Sequence, residues 1–297
     1  MRVPTPPAIA AFTIIAGIAG AVPQALAGER ETATYQFETD VKVLSEQRTR
    51  GVSDSLMRPS VKLGMQLVHE SGLVAVADIV RVSKKQFLGG DGVGVTLAGG
   101  YRFGDPEAWH FGAGMAAEFF PGAKFEAPHS FDMDTFTPGA MRSTRYDSGF
   151  ALVEVGYGAL EARLLDVVSK TYRGADTGGV CGAMLQFAVD PTAALACYAR
   201  GDRNSRGSLL FDIDYKFALA PATTLTLHAG RQQVANFAEA SFNDYRVSVT
   251  RKQWGMEWNA DFVTTRTRAR ELYMVQDGDR VRATDNRRLV LSVSRRF

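Results

Sequence analysis

Residues 60–67 read Ser60-Val61-Lys62-Leu63-Gly64-Met65-Gln66-Leu67, and they alternate without a break. Val61, Leu63, Met65 and Leu67 fall on one side, with Ser60, Lys62, Gly64 and Gln66 on the other. This is the two-residue period of a half-buried strand. The period recurs along the chain. Over 92–103, Val93, Val95, Leu97, Tyr101 and Phe103 oppose Thr96 and Arg102; over 208–217, Leu209, Phe211, Ile213, Tyr215 and Phe217 oppose Ser208, Asp212, Asp214 and Lys216. Near the end Trp254, Met256, Trp258, Ala260 and Phe262 oppose Glu257, Asn259 and Asp261. Little of the chain beyond its first 27 residues has helical periodicity, so the fold class is all-β.

Turn signals space these segments. His69-Glu70-Ser71-Gly72, Gly104-Asp105-Pro106-Glu107, Gly158-Ala159, Asp190-Pro191-Thr192, Ala220-Pro221-Ala222-Thr223 and Arg251-Lys252-Gln253 predict six tight hairpins. Longer, polar, Gly-rich connections separate them, at about 49–58, 84–91, 121–147, 172–179, 201–207, 231–240 and 266–287. Short turns alternating with long loops is the pattern of a transmembrane antiparallel β-barrel. A first strand near 34–44, six hairpins and a last strand over 288–297 give about 14 strands, within a range of 12 to 16. In hydrocarbon an open sheet edge leaves backbone groups unpaired at several kcal/mol each, so the first and last strands must pair. Tyr35, Phe37, Tyr101, Phe103, Trp109, Phe111, Tyr157, Tyr215, Phe217, Tyr245, Trp254 and Phe297 sit at strand ends, where interfacial girdles belong. A water-soluble sandwich also alternates, but it seldom places so many aromatics there.

The composition agrees. In 297 residues, 45% are hydrophobic and 22% charged, and the mean hydropathy is −0.10. That excludes a disordered chain and a bundle of membrane helices, which needs several apolar stretches of about 20 residues. Lys and Arg number 34 against 32 Asp and Glu, a net charge of +2, which is too balanced for a nucleic-acid binder. Residues 1–27 begin with Arg2, run apolar from about Ala8 to Val22 and close on Ala25-Leu26-Ala27. They read as a secretory signal peptide, cleaved near Ala27 to leave 28–297 as the barrel.

Two stretches carry a family resemblance. The last, Leu289-Val290-Leu291-Ser292-Val293-Ser294-Arg295-Arg296-Phe297, resembles the signal by which bacterial outer-membrane barrels are recognised for insertion, with Arg295 where an apolar residue is usual. Arg48-Thr49-Arg50-Gly51-Val52-Ser53-Asp54-Ser55, followed by Pro59-Ser60-Val61 and His69-Glu70-Ser71-Gly72-Leu73, resembles the opening of the TorF-type porin family. Members carry an Arg-aromatic-Arg-Gly-Ile/Val-Ser segment, then a Pro and a hairpin with a Ser-Gly turn; here Thr49 replaces the aromatic. The resemblance implies an outer-membrane, porin-like protein and names no substrate.

On this reading the inward face holds the function. Lys62, Asp78, Arg102, Glu154, Asp212, Asp214, Lys216, His228, Arg246, Glu257 and Asp261 are the expected pore-lining residues. The loop 121–147, with Lys124, Glu126, Asp132, Asp134, Arg142 and Arg145, is expected to fold inward and narrow the lumen, the other arrangement being an external loop. Over 266–287, Arg266, Arg268, Arg270, Arg280, Arg282 and Arg287 face Glu271, Asp277, Asp279 and Asp285. That balance reads as a solvated loop, with attraction of lipopolysaccharide phosphates as the functional alternative.

No G-x-S-x-G, H-E-x-x-H or C-x-x-C occurs and His69, His110, His129 and His228 are scattered, so no catalytic site, metal or cofactor is expected. Cys181 and Cys197 are placed on neighbouring strands of one hairpin as two lipid-facing thiols, a disulfide being the alternative. The expected function is passive diffusion of small hydrophilic solutes across the outer membrane. The expected partners are outer-membrane lipids, lipopolysaccharide and the barrel-insertion machinery reading Phe297. The alternatives are a plugged structural barrel and a barrel enzyme acting on lipids. Oligomeric state is left open.

Overall fold

The computed structural model describes residues 35–188 and 190–297; the signal peptide and its cleavage site lie outside the described residues. Twelve antiparallel strands close into one barrel. They are β1 (Tyr35–Leu44), β2 (Ser60–His69), β3 (Leu73–Arg81), β4 (Val93–Gly104), β5 (Trp109–Phe119), β6 (Ser148–Tyr157), β7 (Leu160–Val167), β8 (Leu209–Ala220), β9 (Thr223–Gln233), β10 (Phe242–Gln253), β11 (Met256–Thr267) and β12 (Arg288–Arg296). Each pairs with its sequence neighbours, and β12 returns to β1 through Asp40↔Arg296 to Leu44↔Ser292. The Phe297 N–H donates to the Thr39 carbonyl at 2.8 Å, and the Thr39 N–H donates back at 3.2 Å, which extends this seam by one residue.

The expected 14 strands are 12 because the hairpin placed at Asp190-Pro191-Thr192 does not exist. That stretch joins two helices, α1 (Thr177–Phe187) and α2 (Thr192–Tyr198). The Asp176 side chain caps α1 by accepting the Gly179 N–H at 2.8 Å. Cys181 and Cys197 therefore sit on facing helices and are bridged, with Cα atoms 5.5 Å apart, rather than standing free on lipid-facing strands. The last hairpin turns at Trp254-Gly255, slightly beyond the expected Arg251-Lys252-Gln253.

Burial follows the two-residue period with the usual sense inverted. Along β2, Ser60 and Lys62 are buried while Val61 and Leu63 are exposed. Phe37, Trp109, Met115, Phe262 and Leu291 are all half exposed or more, and Lys62, Asp78, Glu154, Asp214 and Asp244 are buried. An outward apolar belt of this extent suits hydrocarbon, since soluble proteins rarely expose apolar patches beyond a few hundred Å². Around the short turns the outward aromatics stack on one another, Trp109 on Phe111 and Tyr157, Tyr101 on Phe103, and Trp254 edge-on to Trp258. No helix among the described residues is long and apolar enough to cross a membrane.

The long connections gather at the opposite end. Residues 168–208 carry the disulfide-linked helices, whose Val180, Cys181, Met184, Cys197 and Tyr198 form one apolar cluster with Phe150, Leu152, Leu165, Val167 and Leu210. Several of these belong to the inner wall of β6, β7 and β8. The sheet is thus polar inside at mid-height and apolar inside near the loop end, where a roof covers it.

Candidate functional site

Strand register decides which of the eleven residues named from alternation meet. Lys62 Nζ lies 2.8 Å from Asp78 Oδ2 on the adjacent strand. Arg102 pairs with Glu154 and reaches Glu161 at 3.7 Å, and Lys216 meets Glu161 at 3.4 Å. His228 is bracketed by carboxylates: Nδ1 is 2.9 Å from Asp214 Oδ1, and Nε2 is 3.1 Å from Asp244 Oδ2. Arg163 and Arg246 approach Asp214 at 2.6 and 3.5 Å. Ser248 donates to Asp261, which also accepts from Asn259 at 2.7 Å, while Glu257 is half-buried toward the short-turn end. Alternation pointed to these positions. It missed Arg50, Glu118, Glu161, Arg163, Arg173 and Asp244, two of which come from loops where period carries no information.

The inward-folded loop is 45–59. Arg48–Thr49 and Val52–Ser53 pair as a miniature hairpin with Arg50 and Gly51 at its tip. Both tip residues have left-handed backbone, φ 49° and 78°. A Cβ on Gly51 would lie 2.1 Å from Thr265 Oγ1, so only glycine brings the tip this close to the wall. From the tip Arg50 crosses to β8 and β10. Its Nη1 is 2.8 and 2.9 Å from the two oxygens of Asp212, and Nη2 donates to the carbonyls of Phe211 and Arg231 at 3.0 and 3.1 Å. Burial works against this guanidinium's charge, but Asp212 and Asp244 outweigh it and raise its pKa.

A second guanidinium enters from the loop after β7. Arg173 Nε and Nη2 donate to the two oxygens of Glu118 at 2.9 and 3.1 Å, Nη1 donates to Asp54 at 2.9 Å, and Nη2 also reaches Thr49 Oγ1 at 3.1 Å. Its plane lies near Phe87 and Phe120, with centroids at 5.9 and 5.4 Å. Burial opposes its charge as well, yet Asp54 and Glu118 prevail and hold its pKa well above the ordinary value. For Asp54 burial dominates and raises the carboxyl's pKa despite Arg173.

The two arginines stitch 45–59 across the barrel. Below it remains a cavity of about 100 Å³ bordered by Lys42, Lys62, Asp212, His228 and Asp261, room for a few waters. Above it opens a vestibule of about 650 Å³ walled by Phe87, Phe125, Tyr146, Tyr273 and the glycine face of α1. Thr49 and Tyr172 border both spaces, so the tip hairpin and Tyr172 form the partition.

The loop 121–147 does not supply that partition. Lys124–Pro128 and Met141–Arg145 form an external hairpin, and Lys124, Glu126, Asp132, Asp134, Arg142 and Arg145 are all exposed. Its other face, with Ala127, His129 and Thr144, is buried. Thr144 donates to Asp176 at 2.5 Å, and Arg142 and His129 share Asp202 at 2.6 and 2.8 Å. The physical reason is its own alternation: the charged face has water available outside, whereas the face with Ala127, His129 and Thr144 lies against α1 and its Asp176 cap. In 266–287, Asp277 gathers Lys85, Arg58 and Arg282 at 2.5, 3.2 and 2.8 Å, so part of that charge run ties loops together.

No family model matches the chain, and no curated protein matches it. Among solved structures it is similar to the KdgM porin, at 9% identity and a TM-score of 0.44, covering 88% of this chain and 99% of that one. It is similar also to the COG4313 outer membrane channel from Pseudomonas putida F1, at 13% identity and a TM-score of 0.40, covering 91% and 100%. A third is a porin at 10% identity and a TM-score of 0.34, covering 89% of this chain and 100% of that one. The barrel itself rests on this chain's own strand pairing.

Proposed function

We propose that this chain is an outer-membrane channel through which small hydrophilic solutes diffuse passively, with no covalent chemistry. One observation carries the reading: a closed ring of strands with an apolar exterior encloses a wall of charged side chains at mid-height. Pairing across the wall offsets the cost of burying these charges, and the polar lining suits the passage of water and hydrophilic solutes. The solute gradient drives transport, and lining charge and width set selectivity, because tight binding slows exit. The loop 45–59 is the narrow point of the path. In this reading 1–27 directs export, lipid and lipopolysaccharide surround the belt, the insertion machinery reads β12 with Phe297, and the TorF-type porins are the relatives.

The double anchoring of 45–59 by Arg50 and Arg173 favours a second reading, a permanently plugged structural barrel. Single-channel recording of residues 28–297 in a planar bilayer separates the two. Discrete current steps that scale with salt support the channel. Silence from protein shown to be folded overturns it in favour of the plug.

A further inference from the structure

The seat of Arg50 belongs wholly to the barrel wall. Asp212, Gly230 and Asp244 lie in register on β8, β9 and β10, one straight row across three strands. The two carboxylates flank a gap that exists because the middle residue has no side chain. A Cβ on Gly230 would stand 2.4 Å from Asp244 Oδ1 and 3.0 Å from Arg50 Nη2. Every atom that meets the guanidinium is an acceptor: both Asp212 oxygens on Nη1, the carbonyls of Phe211 and Arg231 on Nη2, and Asp244 Oδ1 at 3.7 Å, while His228 Nε2 stands beside the same carboxylates at 3.1 Å from Asp244 and 3.7 Å from Asp212. Acceptors spread along the edge of a planar fork match a guanidinium better than the compact ammonium of lysine. Arg50 Nε has no hydrogen-bond partner, so the slot holds the guanidinium head and makes no demand on the chain behind it.

We propose that Arg50 is an internal stand-in for a solute, and that the Asp212–Gly230–Asp244 slot is a binding site for guanidinium-bearing cationic solutes, uncovered when 45–59 undocks. This deepens the channel reading and rests on it. Docked, the loop satisfies the slot with its own arginine and closes the lumen. Undocked, it leaves two carboxylates and two carbonyls on the wall, and a passing cation replaces the guanidinium one for one.

The test uses Arg50→Asn, since Asn tolerates the left-handed backbone at the tip and is too short to reach the slot. The refolded mature chain in detergent is titrated with methylguanidinium by calorimetry at fixed ionic strength. Saturable binding is expected for Arg50→Asn and none for the wild type, whose slot is filled. Adding Asp212→Asn should weaken binding about tenfold or more, the worth of one charge-assisted hydrogen bond, and adding Gly230→Val should abolish it. Arg50→Ala provides a second background should the first not fold. No binding to either folded variant, or binding that survives Gly230→Val, overturns the slot. In bilayers the same variant should pass a cation-selective current that methylguanidinium reduces. Binding without any current overturns the channel and leaves the slot standing; current with no binding does the reverse.

Discussion

Replacing Arg173 by Met should convert a closed barrel into one that opens often. Methionine keeps much of the contact with Phe87 and Phe120, but it leaves the Asp54 and Glu118 carboxylates facing each other, buried and unpaired. Breaking a buried ion pair from one side costs about 3–5 kcal/mol. Glu118 is fixed in β5, whereas Asp54 travels with 45–59, so the cheapest relief is release of the loop and the cost falls on its docked state. Taking about 3 kcal/mol, the docked-to-undocked ratio drops about 150-fold. Single-channel open probability at neutral pH reads this directly, with a heat-modifiability gel to show that the barrel is folded and Lys124→Met as an exposed control. The pH response fixes the cause. Asp54 already has a raised pKa through burial, and without the opposing pull of Arg173 it rises further. A raised carboxyl favours docking in its protonated form, so that contribution is present below its folded pKa and lost as pH rises. Acidification should therefore close the variant again. A folded Arg173→Met protein with unchanged open probability, or one that opens more in acid, refutes the reasoning.

Three further outcomes are expected. Cys181→Ser with Cys197→Ser should leave the barrel folded but lower the protection of α1 and α2 in hydrogen exchange, because closing a loop of this length is worth about 3 kcal/mol; unchanged protection counts against the bridge as what holds the roof. Asp277 and Asp202 have pKa values lowered first by hydrogen bonds from Lys85 and His129 respectively. Their stabilisation of the loop cap is therefore present above the ordinary aspartate value of 3.8 and lost as pH falls through the lower folded value, so pepsin should cut 266–287 only below that point, and cutting at pH 5 is the contrary result. Val247→Arg, on the lipid-facing side of β10, should destabilise the barrel in lipid vesicles by about 2–4 kcal/mol in a urea titration; a loss near zero would place that face in water.

The strands were legible because each carries its own signature: the period of two is local, and the inward identity of Lys62, Asp212 or Asp261 follows from counting within one segment. What escaped is what depends on distant partners. Arg48 to Ser55 carries a family resemblance but no period that tells its direction, because Asp212, Asp244 and Glu118, which draw it inward, lie far off in sequence. The helices were readable in principle. Val180, Met184 and Phe187 recur at helical spacing behind the Asp176 cap, but the Asp-Pro turn between two apolar runs imitates a hairpin. That one misreading added two strands to the count. In 121–147 the charges were seen correctly, but charge alone does not say whether the water it seeks is inside or outside the barrel.

The seam between β1 and β12 has a consequence for how the chain reaches its membrane. β1 is paired over ten positions with β2 but over only five with β12. The element that closes the ring is the last of the twelve to leave the ribosome, so no partial chain can be a finished barrel, and every shorter form carries two sticky edges. Contacts of such separation are slow to form and prone to aggregation while they wait. A product cut short anywhere before β12 leaves β1 without its second neighbour and the ring open.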